Sequence, residues 1–262
     1  MIIKEITAKS ILTKSGLGCD YAINPYIGCA HGCIYCYARF MKRFTGHSEP
    51  WGEFVDVKVN AADTIPNKSL EGKSILFGSV CDAYQPLESK YELMPKILKK
   101  LIPLKPSISI LTKSDLVLRD ISLLKQFSDV EVGFSIPVLD ERITKQIEPL
   151  AVSAKRRIDA LEVLKENGIR THVFIAPILP FITDWKKIVS LAKDYCDEFW
   201  FDKFNPYSAC FGQIKTWLMD YDKTLIPKYE EIVSKESNYW KDAEKEIRDF
   251  CGKKGIKCRT YF

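Results

Sequence analysis

Three cysteines fall within nine residues of "GCAHGCIYC" (28–36): Cys29, Cys33 and Cys36. Thiols this dense in a chain with an odd total of nine cysteines read as metal ligands rather than disulfides. A closed zinc site takes four ligands, usually two C-x2-C knuckles or added histidines. Here one knuckle, Cys33 and Cys36, stands with His31 beside it, no second knuckle follows, and the chain has three histidines in all. A four-iron cube takes one thiolate per iron. Three thiolates leave one iron without a protein ligand, an open position of the kind that binds a substrate or second cofactor.

Such a loop needs a frame. The chain has 262 residues, 46% of them hydrophobic, enough for one large core or two small ones. No apolar run reaches the length of a membrane span, and "MIIKEITAKS" lacks the apolar stretch of a signal peptide. The expectation is a cytoplasmic protein with no membrane partner. A net charge of +5 suits a phosphate-bearing partner without marking a dedicated nucleic-acid binder.

Beyond the cysteines, strand-like and helix-like stretches alternate. Strands are expected at 74–80, 107–113, 130–138, 170–179 and 198–204, and helices at 91–101, 115–127, 153–168 and 183–195. With the segment before Cys29 as a first strand, this predicts a partial parallel (β/α)6-type barrel over residues 1–205. Chemistry in such folds sits at the C-terminal ends of the strands, where the cysteine loop would lie. Residues 206–262 read differently, with helices at 227–233 and 239–252, and are expected to form a helical C-terminal cap on the core.

The C-x3-C-x2-C spacing with Tyr35 before the last cysteine resembles the radical SAM superfamily. The wider string "NPYIGCAHGCIYCYAR" (24–39) is similar to its spore photolyase-like branch, as are "LFGSVCDAYQPLE", "SILTKSDLVLRDI", "VEVGFSI" and "RTHVFIAPILP". The likeness runs over roughly residues 8–205. It implies a [4Fe-4S] cluster on Cys29, Cys33 and Cys36 whose open iron binds S-adenosylmethionine. An electron, from a reducing partner of flavodoxin or ferredoxin type, would cleave that cofactor to a 5′-deoxyadenosyl radical that takes hydrogen from substrate.

The same resemblance assigns further roles. "GSVCD" (78–82) would approach the methionyl group, bringing Ser79 and Asp82 to the cofactor. In the photolyase pattern a hydrogen-donor cysteine precedes a hydroxyl residue by two; here Ser79 stands at the donor position and Cys81 at the hydroxyl position. Relatives outside the photolyases carry Thr-Asp-Pro-Tyr-Gln-Pro where this chain has "CDAYQP", so Cys81 and Ala83 are departures. Strand alternation would put residues 79 and 81 on one face, about 6–7 Å apart, so the Cys81 thiol is a candidate hydrogen donor. The alternative is a buried residue standing in for Thr. Lys113 would contact the cofactor carboxylate, Ser135 its ribose or carboxylate, and "FIAPIL" (174–179) its adenine. Of Tyr35 and Tyr37, one would pack near the adenine and the other in the core. His31 would shape the loop.

Three readings of function follow. One is a nucleic-acid lyase or repair enzyme, favoured by the branch resemblance and the basic balance. Another is modification of a peptide, protein or small metabolite. The third is a non-catalytic iron–sulfur redox or sensing module. A second cluster on Cys196, Cys210, Cys251 and Cys258 is a further possibility that no tight C-x2-C supports.

Overall fold

The structure is a computed structural model and describes residues 1–206, 209–234 and 237–262. Its main sheet has eight strands in the order β11-β10-β9-β8-β7-β6-β3-β2. From the amino end these are β2 (Leu12–Lys14), β3 (Tyr21–Ile23), β6 (Ser74–Phe77), β7 (Ser107–Thr112), β8 (Val130–Ser135), β9 (Arg170–Ile178), β10 (Glu198–Lys203) and β11 (Cys258–Thr260). The strands from β3 to β10 are parallel, six in all, as the alternating pattern predicts. β2 runs antiparallel at one edge. β11 adds a parallel strand at the other edge. It lies in the tail expected to be helical, and three residues of strand propensity are too short a signal to read.

A smaller sheet, β1 (Ile2–Ile6), β5 (Phe54–Lys58) and β4 (Tyr26–Ile27), holds the cysteine loop. The loop therefore leaves from β4 rather than directly from the first parallel strand. β4 is only two residues long, and Pro25 before it supplies no backbone donor for the main sheet.

Strand residues alternate between two faces. Ile75, Phe77, Ile110, Val132, Phe134, Val173, Ile175, Phe199 and Phe201 are buried in one core. It is completed by Met94, Ile97 and Leu98 of α2 (Leu93–Leu101), Leu161 and Leu164 of α5 (Ala154–Glu166), and Ile188 and Val189 of α6 (Trp185–Ala192). α2 is preceded by the short α1 (Glu88–Tyr91), and the Glu88 carboxylate accepts from Leu93 and Met94 N–H (3.1 and 2.9 Å), capping α2. α5 starts at Ser153, whose hydroxyl accepts from Arg156 N–H (3.3 Å), as its sequence predicts. The stretch 115–127 is not one α-helix. It winds as a 3-10 turn over Asp115–Asp120 and continues as α3 (Ile121–Leu124), which brings Arg119 to Glu88 (2.8 Å) and Asp120 to Tyr84 (3.0 Å). Helix α4 (Glu141–Ile147) was not foreseen.

The tail forms α7 (Ala209–Tyr221), α8 (Leu225–Ile232) and α9 (Tyr239–Lys253) before β11. Ile214, Leu218, Leu225 and Tyr229 share a second apolar cluster with Ile147 of α4 and with Cys33 and Tyr35 of the cysteine loop. The tail thus packs against the loop. Among the described residues, no helix is long and apolar enough to cross a membrane.

One buried residue on the other sheet face sets an acid limit on stability. His172 is 1% exposed, with neither ring nitrogen hydrogen-bonded, and it fits because Gly133 leaves room: a Cβ there would lie 2.0 Å from Nε2. Burial, aided by Arg259 and Arg170, pulls its pKa down to about 3 from an ordinary 6.5. The folded chain keeps His172 neutral where the unfolded chain protonates it. Stability is therefore intact above about pH 6.5 and falls as pH drops toward 3, by about 1.4 kcal/mol per unit in this one group. Urea titrations at pH 7 and 5 should show this loss, and His172→Gln should reduce it; an unchanged slope in the variant would place the acid sensitivity elsewhere.

Candidate active site

A cavity of about 200 Å³ opens at the C-terminal ends of the parallel strands. Cys29, Cys33 and Cys36 line it, with Ser79, Cys81, Asp82, Lys113 and Ser135. Tyr35 and Tyr37 both face it; Tyr35 is buried and Tyr37 is half exposed. Phe174, Ala176 and Pro177 of β9 and Asp202 and Lys203 of β10 add to the wall. Pro177 does not end its strand, because β9 continues to Ile178 in register with Lys203.

The cysteine loop is held from several sides. Arg39 donates to the carbonyls of Cys36 (3.1 Å) and Ile34 (2.8 Å). Gln85, fully buried, accepts from Ala30 N–H (2.7 Å). The Cys210 thiol of α7 donates to Cys36 O (3.3 Å). Burial raises the Cys29 and Cys36 thiols, and the backbone amides of Asp82 and Ala38 act against it.

Residues 79–81 are not strand. β6 ends at Phe77, and Gly78 turns the chain with φ +91°, where a Cβ would lie 2.4 Å from Leu111 O. Ser79 and Cys81 reach one cavity through this bend rather than through the pleat. Asn24 fixes them: its amide donates to Ser79 Oγ (2.8 Å), and its Oδ1 accepts from Val80 N–H (3.0 Å) and the Cys81 thiol (3.6 Å). Burial pushes the Cys81 thiol up to about 12, so it keeps its hydrogen at neutral pH.

Asp82 lines the cavity, yet its carboxylate is committed to the fold. It accepts from Tyr84 N–H (2.9 Å), Thr112 Oγ1 (2.7 Å) and Lys113 N–H (2.7 Å), with His31 Nδ1 at 3.3 Å. Burial opposes its charge, but His31 and these donors outweigh burial and hold it down at about 2. Asp82 joins the β6 turn, the end of β7 and the cysteine loop.

Lys113 follows β7 directly. Its Nζ donates to Ser135 Oγ (3.0 Å), and that hydroxyl donates to Ala176 O (3.1 Å). Burial works against the ammonium, but Cys33 and Glu148 more than compensate, and its pKa is raised. Behind it, the Tyr35 hydroxyl donates to Glu148 Oε1, and Arg157 donates to Glu148 Oε2 (2.5 Å) and Ser135 O (2.7 Å). Glu148 pairs with Arg157, and the Lys113 ammonium and the Asp82 carboxylate are opposite charges that both border the cavity. Neither Asn24, Gln85, Glu148 nor Arg157 was singled out by sequence reasoning. Asn24 stands inside the matched string, whereas Glu148 and Arg157 meet only across a loop.

The three thiols line one cavity together, as ligands of a single centre must. Burial leads the causes that push the Cys33 thiol up to about 12, so loading must release protons that iron's charge displaces. The other cysteines do not gather into a second centre. Cys251 and Cys258 touch each other, Cys196 donates to Glu198 O (2.8 Å), and Cys210 sits at the cysteine loop.

The radical SAM superfamily profile matches residues 23–192, more than half of the chain. This chain belongs to the radical SAM superfamily. It is an enzyme of that class, and the cofactors of the class are a [4Fe-4S] cluster and S-adenosylmethionine. A protein of Methanocaldococcus jannaschii with no assigned function is 45% identical over 238 residues, covering 91% of this chain and 88% of that protein. Among solved structures, spore photoproduct lyase complexed with a dinucleoside spore photoproduct superposes with a TM-score of 0.63 at 16% identity, covering 82% of this chain and 65% of the lyase. SuiB of Streptococcus suis, bound to its precursor peptide SuiA, superposes with a TM-score of 0.56 at 15% identity, covering 92% of this chain and 48% of SuiB. These likenesses establish the fold.

Proposed function

We propose that this radical SAM enzyme takes a hydrogen atom from a nucleic-acid substrate and returns one to the product, a lyase-like reaction. The observation carrying this is the hydrogen-bearing Cys81 thiol on the wall of the same cavity as the three cluster thiols. Cys29, Cys33 and Cys36 would hold the cluster. Lys113 would bind the carboxylate of S-adenosylmethionine by a charge-assisted hydrogen bond, with Ser79 and Ser135 as hydroxyl partners and Tyr35 as packing surface. When bound, cluster and S-adenosylmethionine supply the radical that starts the reaction.

Cys81 then acts in its own right. Its S–H bond breaks, a C–H bond forms on the product radical, and a thiyl radical remains on the sulfur. One electron from a reducing partner of flavodoxin or ferredoxin type and one proton from solvent restore the thiol. Asn24 keeps the thiol facing the cavity.

Cys81→Ala should leave S-adenosylmethionine cleavage intact and change the product, measured by mass spectrometry after anaerobic turnover. Unchanged yield and product identity would remove the donor role. The substrate class is tested with deuterated oligonucleotides: deuterium recovered in 5′-deoxyadenosine identifies the carbon attacked. The alternative substrate, a peptide, protein or small metabolite, draws on the fold shared with SuiB, and the same experiment with a deuterated peptide decides it.

A further inference from the structure

The inner face of β9, β10 and β11 carries a row of side chains that leads away from the cofactor cavity. Ser135 pairs in register with Phe174, Phe174 with Trp200, and Trp200 with Arg259. Neighbouring strands lie about 4.8 Å apart, so the row spans roughly 14 Å from the cavity wall to the edge strand. Tyr261 stands two residues beyond Arg259. Its ring sits edge-on to Phe174 (centroids 5.9 Å apart) and to Trp200 (6.1 Å), yet it is 51% exposed.

These rings are fixed before any ligand arrives. His172 stacks behind Trp200 at 3.7 Å, and the indole N–H donates to Glu198 (2.7 Å). Glu198 also accepts from Arg259 Nε (2.9 Å), and the guanidinium lies 5.5 Å over the Trp200 ring. Two acids on this face are already engaged, Glu198 with Trp200 and Arg259 and Glu131 with Ser109 (2.8 Å), while Asp202 lines the cavity and accepts from Lys203 N–H (2.8 Å). What faces outward is an aromatic ring between exposed cations, Arg259 at one end and Lys203 at the cavity.

We infer that this wall binds the nucleic-acid substrate, with Tyr261 stacking on a base and Arg259 and Lys203 facing the phosphate chain. The inference rests on the nucleic-acid reading above. Every base has a π-face, so stacking beside cations holds single-stranded nucleic acid with little sequence preference. The row then leads that strand to the wall where Ser135, Lys113 and Cys81 stand. The strand β11 thereby becomes part of the substrate site.

The test uses the cluster-loaded enzyme without reductant or S-adenosylmethionine, so that binding alone is read. Fluorescence anisotropy of labelled oligothymidylate at low salt should show binding by the parent protein. Tyr261→Ala should weaken it by about 5- to 150-fold, while Tyr261→Phe, which keeps the ring, should bind as the parent does. Arg259→Gln should lower the slope of log affinity against log salt by about one. Circular dichroism and iron content confirm that each variant is folded and loaded. Should the parent bind and Tyr261→Ala bind equally well, the wall is wrong and the nucleic-acid reading stands. Should the parent not bind at low salt, both fail. Tyr261-dependent binding of a peptide in place of the oligonucleotide would overturn the inference in favour of a peptide partner.

Discussion

Cys33→Ala protein, reconstituted without air, is expected to hold far less iron than the about four atoms per chain of the parent and to form no 5′-deoxyadenosine. With one of three thiolates gone, two irons of a cube lack protein ligands, and the open position that binds S-adenosylmethionine is no longer unique. The substitution itself is mild for the fold. Cys33 is a small buried side chain in the cluster of Tyr35, Ile147 and Leu218, and Ala keeps the carbonyl that accepts from Arg39 and from Cys36 N–H. Thermal unfolding of the metal-free proteins should therefore be similar, while the visible absorption of the cluster disappears. The parent should contain about four irons and not eight, because Cys196, Cys210 and the Cys251–Cys258 pair lie apart. Full iron loading and cofactor cleavage in Cys33→Ala would overturn the ligand assignment; the same reasoning covers Cys29 and Cys36.

The largest effect on stability is expected from Arg157→Met, at about 3–5 kcal/mol in urea unfolding. Arg157 is fully buried and donates to Glu148, Ser135 O and Val152 O (2.9 Å). Its loss strands the Glu148 carboxylate, 1% exposed, with only the Tyr35 hydroxyl close and Lys113 Nζ 3.9 Å away. Removing both partners, Arg157→Met with Glu148→Leu, should recover much of the loss, because no buried charge then lacks a partner. A loss below about 1 kcal/mol in the single variant would mean that Lys113 or water replaces the guanidinium. The pair also sets the cavity wall, since Ser135 and Tyr35 are both tied to it. Cofactor binding should weaken in the single variant beyond what its reduced stability explains.

Much of the site's chemistry was legible in the chain. Three thiols in C-x3-C-x2-C order offer one centre three ligands wherever the loop goes, because ligand number belongs to the residues themselves. Strand and helix periodicity fixed six parallel strands, and with them the end of the sheet where Lys113 and Ser135 must stand. Local rules failed where contacts are long-range or short in sequence. Ser79 and Cys81 share a cavity because Gly78 turns against Leu111 and Asn24 reaches across from the end of β3, not because strand alternation aligns them. Asp82 lines the cavity, as the resemblance implies, but that its carboxylate also accepts from Thr112, Lys113 and Tyr84 shows only in the fold. β11 carries too few residues to announce itself, yet its pairing with β10 sets Arg259 and Tyr261 beside Trp200. The sequence by itself determined which atoms can bind metal and that strands alternate with helices in a parallel sheet. Only the tertiary structure decided which polar groups are consumed by the fold and which still face the cavity, since that depends on partners that meet across tens of residues.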